Sequence, residues 1–159
     1  LLLRPRLAEL ITIAKSRFDF VIIDVGTIQD LSSQLSDRRA DAMVITWASD
    51  HANNLWIIAR ADHIGQMRFK RVASILNRTS ITSSITLVLN MRSPGRKGQE
   101  EEKIFLATAS THKAGSLYVL PADIRNTESS AQSRATLAEV NERGVLRKAL
   151  ASIASEMIS

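Results

Sequence analysis

A chain of 159 residues fits one domain, and 45% apolar against 23% charged residues is the balance of an ordinary globular protein rather than a disordered one. No apolar run approaches the ~20 residues a membrane-spanning helix needs. With no cysteine and three scattered histidines, disulfides, thiolate metal sites and cysteine nucleophiles are excluded, and no histidine cluster for a metal is in view. The net charge of +5 admits nucleic acid, a nucleotide or a lipid headgroup as partner without requiring any of them.

The sequence opens on Leu1-Leu2-Leu3, too short for the apolar part of a signal peptide, and reads as a piece of a longer protein. Leu7, Leu10, Ile11 and Ala14 fall at helical spacing, with Pro5 tolerated near the start, so a helix is expected from Leu7 to Lys15. It leads into Phe18-Asp19-Phe20-Val21-Ile22-Ile23-Asp24-Val25-Gly26-Thr27, a nearly continuous β-branched run that ends in a carboxylate and a glycine. That is the pattern of a strand buried on both faces, and ligands of open α/β sheets bind beyond the carboxyl ends of such strands. Asp24 therefore has two readings: an acid at a ligand site, or a residue that ends the strand and caps the next segment.

Beyond Gly26, Ile28, Leu31 and Leu35 fall near one helical face and predict a short helix. The run Ala40–Ala48 predicts a second buried strand. Between Ser49 and Ser84 the apolar spacing, including Leu55, Ile58, Ile64, Met67, Val72, Ile75 and Leu76, points to one or two helices broken near Gly65. A third strand, Ile85–Asn90, is followed by an exposed loop from Met91 to Gly98, and Glu100–Ala109 reads as a helix with acids in its first turn. A fourth strand, Leu117–Leu120, stops at Pro121, and Leu146, Leu150, Ile153 and Met157 mark one face of a closing helix from about Arg143 to Met157. Strands separated by helical segments predict an α/β fold: a mainly parallel sheet with helices on both faces, forming a single domain over 1–159.

Parallel strands expose their carboxyl ends together, so Asp24, Asn90 and the Leu120-Pro121-Ala122-Asp123 ending are expected on one rim. An Asn amide offers a donor and an acceptor, which suits a purine edge, although Asn90 and Pro121 also serve simply to end strands.

Asp19, the apolar tetrad, Asp24 and Gly26 together resemble the Walker B strand of P-loop NTPases of the MinD/ParA type, in the TadZ/CpaE-like pilus-assembly branch. Leu87-Val88-Leu89-Asn90 is similar to that family's base-contacting strand, and Leu120–Asp123 followed by the last helix is similar to its closing stretch. The likeness runs from about Phe18 to Met157. It implies a P-loop NTPase-like fold and the carboxyl-terminal part of a larger nucleotide-binding domain. It further implies ATP with Mg²⁺ sandwiched in a cytoplasmic homodimer that engages protein partners of a larger machine for pilus assembly or secretion, septum placement or chromosome partitioning. On this likeness Asp24 holds the metal through water and Gly26 sits near the γ-phosphate. Asn90, with Arg92 just after it, borders the base, and Pro121, Ala122 and Asp123 flank the nucleotide.

The chain departs from the family at Val25-Gly26-Thr27, where most members carry a proline, and at Asn90-Met91, where the family usually has Asn-Arg. It also contains no glycine-rich phosphate loop with Lys and Ser/Thr: Gly95-Arg96-Lys97-Gly98 lacks the spacing. Hydrolysis by these residues alone is therefore not expected, and a catalytically degenerate scaffold or localisation module is the alternative. A third reading is a nonspecific DNA-binding module using Arg60, Arg68, Lys70, Arg71 and Arg78, whose bland role is a solvated helix face. Ser49-Asp50-His51 has triad residue types, but neighbours in a chain do not converge on one atom. Arg147 and Lys148 beside the last apolar stripe would suit a membrane surface, yet packing on the sheet is the expected fate of that helix.

Overall fold

A computed structural model describes residues 3–26, 47–78, 80–111 and 114–158. The elements in chain order are α1 (Leu3–Lys15), β1 (Asn54–Arg60), α2 (His63–Leu76), β2 (Ser84–Arg92), α3 (Gly95–Ala109), β3 (Ser116–Pro121), α4 (Ile124–Ser133), α5 (Leu137–Val140) and α6 (Val145–Ile158). The strands form a three-stranded parallel sheet in the order β1-β2-β3, with Asn54 opposite Ser84 and Leu87 opposite Leu117. The expected α/β class with a parallel sheet flanked by helices holds at this level.

Each face of the sheet has its own apolar layer, because side chains alternate along a strand. On one face Ile57 and Ala59 of β1 and Leu87 and Leu89 of β2 pack with Phe69, Leu76, Phe105 and Ala109 from α2 and α3. The Phe69 and Phe105 rings meet at 4.9 Å in a tilted pair, a geometry aromatic quadrupoles favour. On the other face Val88 and Leu120 meet Ile153 of α6, with Trp56, Tyr118, Leu146 and Ala149 packed around them. The last helix thus covers the sheet through Leu146, Ala149 and Ile153, while Leu150 and Met157 of the expected stripe stay exposed, and among the described residues no helix is long and apolar enough to cross a membrane.

Four expectations need correction. The run Phe18–Val25 is not a buried strand. It lies outside the three strands, with Phe18, Phe20 and Val25 exposed and Ile22 93% accessible. A β-branched run favours extended backbone, but burial requires strands on its edges and layers on its faces, and those are not encoded in the run itself. The second correction concerns Asn54–Arg60, expected to be helical: it is the edge strand β1. Leu55 and Ile58 fit helical spacing, but the alternation of buried Ile57 and Ala59 with Ile58 at 62% exposure is that of a strand.

Gly65, expected as a break, lies inside α2. A Cβ there would collide with the Arg60 carbonyl, so glycine allows the helix to start hard against the strand. Asp62 caps this start, accepting from Gly65 N at 2.7 Å. The fourth correction is the expected loop 91–98. β2 continues to Arg92 and α3 already begins at Gly95.

The predicted strand Ala40–Ala48 lies outside the described residues as far as 46. Trp47 and Ala48 begin a short helical segment at 47–51. Buried Ser49 fastens that segment to the lead into β2: its hydroxyl accepts from Thr82 N at 2.9 Å, while Ser83 Oγ donates to Ser49 O at 2.6 Å. The predicted helix carrying Ile28, Leu31 and Leu35 also lies outside the described residues.

Candidate functional site at the carboxyl rim of the sheet

Because β2 and β3 run parallel, the polar residues at their ends arrive on one rim. Asn90 stands opposite Arg60 of β1, and its carbonyl accepts from Ala61 N at 2.9 Å as β1 gives way to the Asp62 cap. Arg92 stands opposite Pro121, and its carbonyl accepts from Ala122 N at 2.9 Å. The structure thus brings Asn90, Arg92, Pro121, Ala122 and Asp123 together. Asp24 and Gly26 sit in the 18–26 segment, outside the three strands, where Gly26 N donates to Asp24 Oδ1 at 2.8 Å. This is the local turn chemistry of an Asp side chain.

The rim bends between Asn90 and Arg92. The register shifts between Leu89 and Arg92, and exposed Met91 takes a left-handed φ of 61°. A side chain there costs of order 1–3 kcal/mol, and such residues cluster at functional sites. The bend turns Met91 N back onto Asn90, whose Oδ1 accepts from it at 2.8 Å.

The remaining rim groups are largely engaged within the protein. Half-buried Arg92 donates through Nε to Glu102 Oε2 at 3.1 Å and through Nη1 to Ser93 O at 3.4 Å. Ser93 in turn gives its N–H and its hydroxyl to the two oxygens of Glu101, each at 2.8 Å. This close return of the chain depends on Gly98, since a Cβ there would run into Ser93 O. Asn126 Nδ2 bridges both oxygens of Asp123 at 2.8 and 2.9 Å, and Leu146 N donates to Asp123 Oδ2 at 3.4 Å. The Asn126 amide, chiefly, holds the Asp123 carboxyl below the ordinary Asp range. Asp123 therefore ties the start of α4 and the start of α6 to the end of β3.

Sequence reasoning missed Ser93, Glu101 and Asn126. The acidic triplet Glu100-Glu101-Glu102 was visible in the sequence, but with the helix start placed five residues late, its reach back to Ser93 was not. Of the basic residues proposed for DNA, Arg60 pairs with Asp62 at 2.5 Å, and exposed Arg68 and Arg71 stand three apart on α2, neighbours on one helical face.

Magnesium binds through one or two carboxylates, with phosphates and water completing an octahedron. Exposed Asp24 supplies one such oxygen group, and among the described residues no group of three His, Asp or Glu side chains converges. These residues fit Mg²⁺ only as the single-carboxylate partner of an ion already held by phosphates.

Fold and rim together define an α/β protein with a polar rim at the carboxyl ends of a parallel sheet. Comparison with protein-family models and with curated proteins finds no match.

Proposed function

We propose that this chain is the carboxyl-terminal part of a MinD/ParA-like ATP-binding protein of the cytoplasm, working as a homodimer to position or assemble a larger machine. One observation carries the reading: Asn90, Arg92 and Pro121–Asp123 gather on the carboxyl rim of a parallel sheet, where open α/β folds bind their ligands. Asp24 would hold Mg²⁺ through water, with the phosphates themselves held by residues outside this chain. The exposed apolar run Phe18–Val25 agrees with this, since a β-branched run would be buried as a strand once neighbours flanked it.

The test is calorimetry of Mg-ATP on the full-length gene product that contains this chain, beside Asp24→Ala. Binding that weakens at least tenfold in the variant is the expected result. Absence of binding by the full-length product would sink the reading. One feature favours a catalytically degenerate scaffold of the same fold as the second reading: the internal engagement of Arg92 and Asp123. Mg-ATP binding without turnover, unchanged by Asp24→Ala, is the result that this reading requires.

A further inference from the structure

Between Asp62 and Glu100 the chain contains no acid, yet seven Lys and Arg fall there, so its net charge of +5 comes entirely from this stretch. α2 carries the first of these cations. The helix buries Gly65, Gln66, Phe69, Ala73 and Leu76 on the side where Phe69 and Leu76 enter the core. A second stripe runs along the opposite, solvent side. There Ile64, Met67, Arg71 and Ser74 follow one another at spacings of three, four and three, the repeat by which one helix seats on another. Ile64 is 64% exposed and Met67 45%, and exposed Arg68 and Lys70 stand on the two flanks of the stripe.

We propose that this outward stripe docks an acidic α-helix of a partner protein, apolar where it meets Ile64 and Met67 and carrying Asp or Glu where it meets Arg68 and Lys70. In helix pairs the inner positions give affinity, while charges at the flanking positions choose the partner. Both flanks here are basic, so a second copy of α2 would set cation against cation. A nucleic-acid backbone suits the cations but leaves Ile64 and Met67 without a partner, and it would meet the Asp62 carboxylate at the head of the helix. A membrane surface requires a broad apolar face, whereas Arg71 already follows Met67 along the stripe. Met and Arg are residues that protein interfaces favour. Such docking requires no nucleotide at the rim.

Two synthetic peptides of about 21 residues, three heptads each, make the probe. Both have Leu at the inner positions, and one carries Glu and the other Lys at the flanking ones. In calorimetry on the full-length gene product that contains this chain, the Glu peptide should bind at least about tenfold tighter than the Lys peptide. Arg68→Glu combined with Lys70→Glu, both at exposed positions, should reverse that preference. Met67→Ser should weaken both peptides by roughly fivefold, the scale of one anchor residue. Equal binding of the two peptides by the parent, or binding of neither, overturns the proposal, and this comparison needs no variant to fold. A preference left unmoved by the charge reversal, in a variant that melts like the parent, also overturns it. Duplex DNA that binds the parent tighter than the Glu peptide, and is lost on charge reversal, overturns it in favour of a nucleic-acid surface. Self-association of the parent that Met67→Ser abolishes overturns it in favour of a second copy.

Discussion

Two runs of this chain look alike on paper and end in opposite surroundings. Ile85–Asn90 and Phe18–Asp24 are both β-branched apolar stretches closed by a polar residue. The first is the central strand, with Leu87 and Leu89 inaccessible and helices on both sides. The second lies outside the sheet and is exposed, with Ile22 at 93%. Local composition specifies the backbone each run prefers, but burial is a property of the neighbours it finds. β2 lies between two parallel partners, and its leading end is held through the Ser49 latch.

The largest loss of stability is expected in the centre of the sheet. Leu89→Ala should cost about 2–5 kcal/mol by urea unfolding, because a methyl-lined cavity opens beneath α2 and α3. A loss below 1 kcal/mol would mean that the core is not closed there. Gly98→Ala comes next, at about 1–3 kcal/mol, since its methyl meets Ser93 O and must push the β2–α3 turn away from Glu101. The same variant should raise amide exchange at Ser93, a local signature that a general loss of packing would not single out.

Asp123→Asn acts through pH. The folded-state carboxyl lies below its ordinary value of about 3.9, so its stabilisation is present above that value and is lost as pH falls through the lowered one. The variant should therefore melt below the parent at neutral pH, and the difference should close on acidification. A constant difference across the acid range would show that the Asn126 bridge carries no linkage. The smallest effect belongs to the exposed run: Ile22→Ser should change stability by no more than about 0.5 kcal/mol. A loss as large as that of Leu89→Ala would reveal that the run is buried in solution, erasing the contrast between the two runs.

Where the pattern was long or unambiguous, the elements were legible in the sequence. The β2 run, the short strand stopped by Pro121 and the amphipathic closing helix each carry their own periodicity, and their order implied a parallel sheet with its polar ends on one rim. β1 was not legible, because seven residues containing Leu55 and Ile58 satisfy both periods, and only the pairing with Ser84–Asn90 decides between them. The start of α3 was hidden for a different reason. Pro94-Gly95 reads as a turn, while the close packing of Gly98 on Ser93 that lets the helix begin there is a contact in three dimensions.

The rim divides in the same way. That Asn90 and the Leu120–Asp123 ending share a rim was legible in the sequence, through the rule that parallel strands end together, whereas Asp24, expected beside them, lies outside the three strands. How each one spends its hydrogen bonds was settled by the tertiary structure. The Asn90 oxygen accepts from the backbone of left-handed Met91, Glu102 holds Arg92, and Asn126 with the α6 backbone holds Asp123. The physical reason is one of range. Periodicity and strand-end chemistry act over a few neighbouring residues and can be read along the chain. The partner of a polar group lies wherever folding brings another donor or acceptor within about 3 Å, as when Thr82 N meets the Ser49 hydroxyl 33 positions earlier in the chain.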